Sequence, residues 1–555
     1  MFWRLSFLAI SAGLLFGVDI ASIGAALEGM AQAFCASLQN LGLEDNASEW
    51  VVSGAKGGAV FGGLFGGALM VSRGRRTSIR LSALPFFIGP LLIFTAQSFW
   101  QAFIGRLLMG LGFGLASVAT PSYLSEVVVP VHRGLFEAMY ELGIATGMLL
   151  AALLNLLLQA LSVEGQLGTL ACWRYQAGLV PCAFAVPLLL LSFAVPESPR
   201  WLMQTVTPSS LLASLGEIVW LGRPGARQRM ETVKTWTNSE NGSEALEAFD
   251  AEVLDEEESE KANSKDDLIR LWDEQHKALG NPLFSREISR EEVAQKRRTC
   301  AVLLGTFIDA KDILIGRVPG ARQGLTLALA AAVLNQACAS TSILIYAQKL
   351  LQTAGVQRQT EQDAQSTIII AAKLLGVILG LFLVERVTRK ALLAAGGAGS
   401  AISLALLLVG MQLSSNVLLM TGMGCFVLCF YSTWGVGYWA VVVEVTTVGG
   451  PRYASAAQAM CTATLFFFGW LTSLTFVQVM SLGSLGILVY VTVAVLMFAY
   501  GRCWLPETSG HSLEECAYSV EHQGDVCLAT DSDGSDDFEL SSTDSSERPG
   551  MERGT

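Results

Sequence analysis

Charge is scarce in this sequence: only 15% of its 555 residues are Asp, Glu, Lys or Arg, against roughly 25% in ordinary soluble domains. Hydrophobic residues make up 52% and the mean hydropathy is +0.48, so water is not this chain's main solvent. Histidine is rarer still, and His132, His276, His511 and His522 all fall in loops or the tail. No phosphate-cradling Walker motif is present, nothing resembles a nucleophile with its base, and the 11 cysteines form no CxxC pair or Cys/His cluster. These gaps argue against an enzyme, a metal site, a cofactor or a nucleic-acid partner.

What the sequence does have is long apolar runs. A spanning helix needs on the order of 20 apolar residues, and twelve windows meet that length. They lie near 5 to 30, 50 to 71, 79 to 99, 101 to 125, 134 to 160 and 175 to 195, then near 323 to 350, 365 to 385, 390 to 411, 416 to 445, 454 to 480 and 482 to 504. Transmembrane barrels lack such windows, so the expected class is an all-α membrane protein. The organisation reads as an N-terminal six-helix bundle (1–195), a polar central loop (196–322), a C-terminal six-helix bundle (323–504) and an acidic tail (505–555). The net charge of -12 reflects acids clustered from Asp250 to Glu260 and from Asp525 to Glu552, solvated runs rather than a docking face for a basic partner. Arg73, Arg75, Arg76 and Arg80 after the second window, and Arg386, Arg389 and Lys390 after the eighth, point to cytosolic loops there and to cytosolic termini. Glycines recur along the second window (Gly58, Gly62, Gly66) and the fourth (Gly110, Gly114), the pattern of closely approaching helices.

Short motifs border these windows. Gly74-Arg75-Arg76 has a counterpart in Glu385-Arg386-Val387-Thr388-Arg389-Lys390; Gly105-Arg106 opens the fourth window; Glu126 and Arg133-Gly134 lie between the fourth and fifth. Pro196-Glu197-Ser198-Pro199-Arg200 closes the first half, Pro506-Glu507-Thr508-Ser509-Gly510 the second, and Trp439, Glu444 and Arg452 fall in order between them. Together they resemble the sugar porter family of the major facilitator superfamily, over all but the central loop and tail. The resemblance implies two bundles rocking about a midplane site, with Glu126, Arg133, Glu197, Arg200, Glu385, Arg386, Glu444 and Arg452 in gating. The sequence departs from the family in the basic turns, where Val71, Ser72 and Thr388 replace usual residues, and in the tenth window, which lacks the usual prolines.

Ionisable groups at membrane depth are costly and so need a partner or a task. Asp19 stands where the family's proton symporters carry an acid, with Arg106 as the expected counter-ion. Two readings stand: proton coupling through this pair, or a permanent structural ion pair. Glu141 falls where the family usually has a sugar-binding glutamine and Lys373 where it has an asparagine, so these charges are expected to project into one cavity from opposite bundles. They serve as a gate latch, adapt the site to a charged solute, or compensate each other around a neutral sugar or polyol. Asn335, Gln336 and Thr341 lie in a run resembling the family's QQxSGxN, and Trp439 offers an aromatic face to a sugar ring or simply packs between helices. Lys56 receives no role. The expectation is a secondary active or facilitative carrier of a hexose, polyol or related small solute in a plasma or internal membrane. A carrier of a charged solute and a transporter-like nutrient sensor are the alternatives.

Overall fold

A computed structural model describes residues 2–39, 47–128, 130–163, 172–198, 201, 308–318, 320–353, 359–413, 415–446 and 451–508. Most of the central loop and all of the tail beyond residue 508 lie outside these residues.

Among the described residues, twelve helices are long and apolar enough to cross a membrane: α1 (Trp3–Leu27), α2 (Glu49–Arg73), α3 (Arg75–Phe94), α4 (Phe99–Val127), α5 (Gly134–Leu158) and α6 (Cys172–Phe193), then α7 (Ala321–Ile345), α8 (Ala364–Leu383), α9 (Arg389–Gln412), α10 (Asn416–Thr446), α11 (Tyr453–Ser481) and α12 (Ser484–Trp504). Large apolar side chains such as Phe61, Phe87, Leu190, Leu375, Phe382 and Val417 are exposed on the outside, as a lipid solvent requires. The protein is an integral membrane protein.

Each half is a bundle. In the first, α1 packs on α5 and α6, and α4 on α2 and α3; in the second, α9 packs on α10 and α12, and α8 on α10. Two seams join the halves, α2 against α11 and α5 against α8. Close approach explains the glycines. A Cβ at Gly58 would stand 2.1 Å from the Leu107 carbonyl oxygen of α4, and one at Gly110 would stand 1.9 Å from that of Ala55. Without hydrophobic drive between helices in lipid, such contact is the main source of association.

The edges differ from the hydropathy windows where backbone geometry intervenes. α3 starts at Arg75 rather than near 79, because Gly74, at φ 89°, turns the chain and Arg75 is itself buried. α7 is broken: Ala339 takes a left-handed conformation, φ 57°, between the helical stretches Ala321–Ala337 and Ser340–Ile345. α10 has no proline kink, but a π-helical turn at Tyr431–Gly435 interrupts it instead. Such turns disturb the hydrogen-bond ladder as proline would.

Candidate functional site

Three clusters of buried polar side chains stand out, and two of them occupy the bundle interior. In the first, Glu141 of α5 and Lys373 of α8 form an ion pair at 3.0 Å across one seam, both buried. The Lys373 ammonium also sits 3.9 Å from the centre of the Tyr431 ring, on the π-turn of α10. Trp439 stands edge-on to Tyr140 with ring centroids 5.2 Å apart, so the aromatic side chains of both bundles meet beside the pair. The sequence expectation that Glu141 and Lys373 meet is realised in the geometry. Their charges compensate each other. Asn335 and Gln336 lie on α7, where Gln336 Nε2 donates to Asn335 Oδ1 at 3.0 Å. Thr341 is buried just past the α7 break.

The second cluster is Asp19 of α1, Arg106 of α4 and Lys56 of α2. Asp19 accepts a hydrogen bond from Arg106 Nη1, and Arg106 Nε donates to the Val51 carbonyl at 3.1 Å, so one guanidinium ties α1, α4 and α2 together. Lys56 is buried and reaches across the other seam to donate to Ser473 Oγ of α11 at 2.7 Å. Asp19, Lys56 and Arg106 line one cavity of about 10 Å³ with Phe16, Phe113 and Phe466. A second cavity, about 40 Å³, lies among Ile20, Gly24, Asn155, Gln348 and Thr367. One water needs roughly 10–15 Å³ of such space, so neither cavity has room for a sugar.

The third cluster sits at the end of the molecule that carries the basic loops, and it appears twice. Arg75 Nη2 meets Glu126 Oε1 at 2.8 Å; Ser198 Oγ donates to the other Glu126 oxygen; Glu197 Oε1 accepts from the Arg76 backbone N–H at 2.9 Å. In the second bundle Arg389 Nη2 meets Glu444 Oε1 at 3.4 Å; Thr508 Oγ1 donates to Glu444 Oε2 at 2.6 Å; Glu507 Oε1 accepts from the Arg389 N–H at 2.9 Å. The Pro-Glu-Ser and Pro-Glu-Thr motifs are thus hydroxyl and carboxylate clamps on the basic turns. Burial pushes the Glu197 carboxyl above its usual range, against the pull of the backbone N–H donors that hold its charged form. Cross-bundle contacts close this end: Arg75 donates to Ser455 at 3.3 Å, and Ser122 donates to Gln458.

The sequence-selected gating residues divide. Glu126, Glu197 and Glu444 are in these clusters. Glu385 is exposed and lies 3.6 Å from His132, and Arg386 is exposed; the buried cation of the second turn is Arg389, three residues on. The side chains of Arg133, Arg200 and Arg452 lie outside the described residues. Sequence reasoning named Arg75, Arg389, Ser198 and Thr508 in the motifs without placing them among the gating residues, and it left out Tyr431. The first four could be found in the motif pairs, whereas nothing in the sequence marks Tyr431.

The fold resembles solved transporters. XylE, a proton:xylose symporter, bound to 6-bromo-6-deoxy-D-glucose, superposes with a TM-score of 0.69 at 21% identity, covering 93% of this chain and 98% of that one. Its inward open form from E. coli gives 0.61 at 22% identity, over 93% and 99%. Among curated proteins, the galactose-proton symporter of Escherichia coli (strain K12) is 27% identical over 517 residues, 92% of each chain. The probable metabolite transport protein CsbC of Bacillus subtilis (strain 168) is 25% identical over 534 residues, 94% of each. The facilitated glucose transporter member 8 of solute carrier family 2 from Bos taurus is 36% identical over 180 residues, 32% of this chain and 34% of that one. The pattern of the family described as "Sugar (and other) transporter" matches residues 5–249 and 287–519. With both bundles and both motif clamps inside that match, this chain belongs to the Sugar (and other) transporter family and is a membrane transporter with two six-helix bundles, not an enzyme.

Proposed function

We propose that this transporter carries a hexose, polyol or related small solute by alternating access and that a proton moving through Asp19 drives it. The observation that carries this reading is the buried contact between Asp19 and Arg106 at the wall of an interior cavity. A proton on Asp19 removes the negative partner of a guanidinium that also holds the Val51 carbonyl. Arg106 then loses its strongest tie to α1, and α1 is freed to shift relative to α4 and α2. Proton binding in this way biases the balance between two bundle arrangements. Full-length relatives that include a galactose-proton symporter support the same assignment.

The clamp clusters set the other half of the cycle. Glu126, Glu197, Arg75, Glu444 and Arg389 brace the basic turns within each bundle, while the Arg75 to Ser455 and Ser122 to Gln458 contacts join the bundles and must break when that end opens. Topology with both termini and the basic loops in the cytosol makes this the inner gate. Substrate contacts fall to Gln336, Asn335, Thr341 and Trp439, with Glu141 and Lys373 forming the polar floor between α5 and α8.

Proteoliposomes test this. Uptake of glucose, fructose and inositol is measured with and without an inward proton gradient, alongside an interior pH dye. The proposal expects gradient-stimulated uptake of one neutral member and acidification that follows solute entry. Uptake that proceeds equally without a gradient and moves no proton would reject coupling; no uptake of any member would reject the solute class.

A further inference from the structure

Lys56 is a buried charge that the transport account leaves unused. Glu141 and Lys373 balance each other, as do Asp19 and Arg106. Lys56 is over and above those pairs. Among the described residues its one hydrogen-bond partner is the neutral Ser473 Oγ, at 2.7 Å, and it has no ion-pair partner. An ammonium has three donors, so two of its N–H bonds are unspent in a setting only 6% exposed. A buried ammonium without a counter-charge is strongly disfavoured.

Its position is that of a binding residue. Lys56 lines the same cavity as Asp19 and Arg106. Its stem and Gln336 converge on Gly469 of α11, where an added Cβ would stand 3.4 Å from Lys56 Cδ and 2.9 Å from Gln336 Oε1. The ammonium therefore belongs to the same chamber as the α7 amides. Lys56 and Ser473 lie on opposite sides of the α2–α11 seam, next to Ser342 and Tyr346, whose hydroxyls lie 3.5 Å from Ser473 oxygens. Parting that seam takes Ser473 away and presents the ammonium to the entering solute.

We infer that Lys56 is an anion-recognising residue and that the preferred solute is a sugar acid, a hexose-sized polyol bearing one carboxylate. The inference rests on the reading of this chain as a sugar carrier and specifies its substrate class. Lys56 has no acid paired with it among the described residues, and a carboxylate supplies the negative charge that its ammonium lacks. A carboxylate supplies acceptors for the two unspent N–H bonds, and its hydroxyl-bearing body faces Gln336. Closing the seam around an empty site traps a lone cation; closing it around the acid does not. Loaded closure is thereby favoured over empty closure. Protonation of Asp19 adds to the positive field, so proton and acid each favour the other's binding.

The test uses the full chain in proteoliposomes. Glucuronate and its neutral amide, glucuronamide, are compared as inhibitors of glucose uptake in the native protein, and kcat/KM is measured for glucuronate and glucose in native, Lys56→Gln and Lys56→Arg proteins. The native protein is expected to prefer glucuronate to the amide by about tenfold or more, the strength of a charge-assisted hydrogen bond. Lys56→Gln is expected to cut the glucuronate-to-glucose ratio by a similar factor, and Lys56→Arg to restore it. Equal inhibition by acid and amide in the native protein overturns the inference even if a variant fails to assemble, as does an unchanged ratio in Lys56→Gln. Glucose uptake with no response to glucuronate overturns this inference and leaves the sugar-carrier reading standing; no flux or competition by any of these solutes removes both.

Discussion

At the basic-loop end, Arg75 with Glu126 and Arg389 with Glu444 repeat one arrangement in the two bundles, each clamped by a hydroxyl from a Pro-Glu-Ser or Pro-Glu-Thr motif. The interior pairs named above do not repeat between the bundles. Glu141 and Lys373 form one pair between bundles, Asp19 and Arg106 one pair within a bundle, and Lys56 faces a serine. Duplicated machinery is what two rocking halves share; singular machinery is where they were made different from each other. The repeated end is therefore the place to test the proposed motion, and the unrepeated interior the place to test the proposed cargo and coupling.

The sharpest way to break this contrast is to unbalance an interior pair. Glu141→Gln or Lys373→Met alone leaves a buried charge without its partner, at a cost of about 3 to 5 kcal/mol, read as a fall in the detergent unfolding temperature. The double variant should recover most of that loss. If each single change is as mild as the double, the pair is not the buried element described here. Next in size is Ala339, which stands at the glycine of the motif its run resembles and adopts φ 57°. Ala339→Gly should keep uptake, whereas Ala339→Val, β-branched in a left-handed position, should lower it at least about tenfold. Equal activity in the two would show that the α7 break does not depend on this residue.

Effects of comparable size test whether the repeat is symmetric. The 2.8 Å contact in the first bundle and the 3.4 Å contact in the second predict that Glu126→Gln costs more than Glu444→Gln, with the larger loss about 1.5 to 3 kcal/mol. The smallest concerns Glu197. Its folded carboxyl sits above the ordinary range, so it binds its proton more tightly folded than unfolded. That contribution favours the folded state below the ordinary carboxylate range and is lost as pH rises through the elevated folded value. Glu197→Gln should remove this part of the pH slope in unfolding temperature; an unchanged slope would place the titration elsewhere.

The architecture was legible because lipid imposes it. Twelve apolar windows, glycines at contact spacing and motif pairs at matching places in two halves each follow from a local rule. The meeting of Glu141 with Lys373 was legible too, since two opposite departures from one family's amides are hard to accommodate unless they pair. What escaped the sequence depends on backbone geometry or on distant partners. Tyr431 meets Lys373 from a π-turn of α10. Arg389 rather than Arg386 meets Glu444 because the turn after α8 buries one and exposes the other. Lys56 received no role from the sequence; its significance comes from Ser473, 417 residues away, and from its having no ion-pair partner among the described residues.

Coupling is the central claim, and Asp19→Asn tests it most directly. In proteoliposomes loaded with unlabelled solute, exchange of labelled solute requires only that the bundles rock, whereas accumulation against a concentration gradient requires the proton. The account predicts that Asp19→Asn retains exchange and loses gradient-driven accumulation. Accumulation that persists in Asp19→Asn would contradict it, and would leave the contact with Arg106 as a structural tie between α1 and α4.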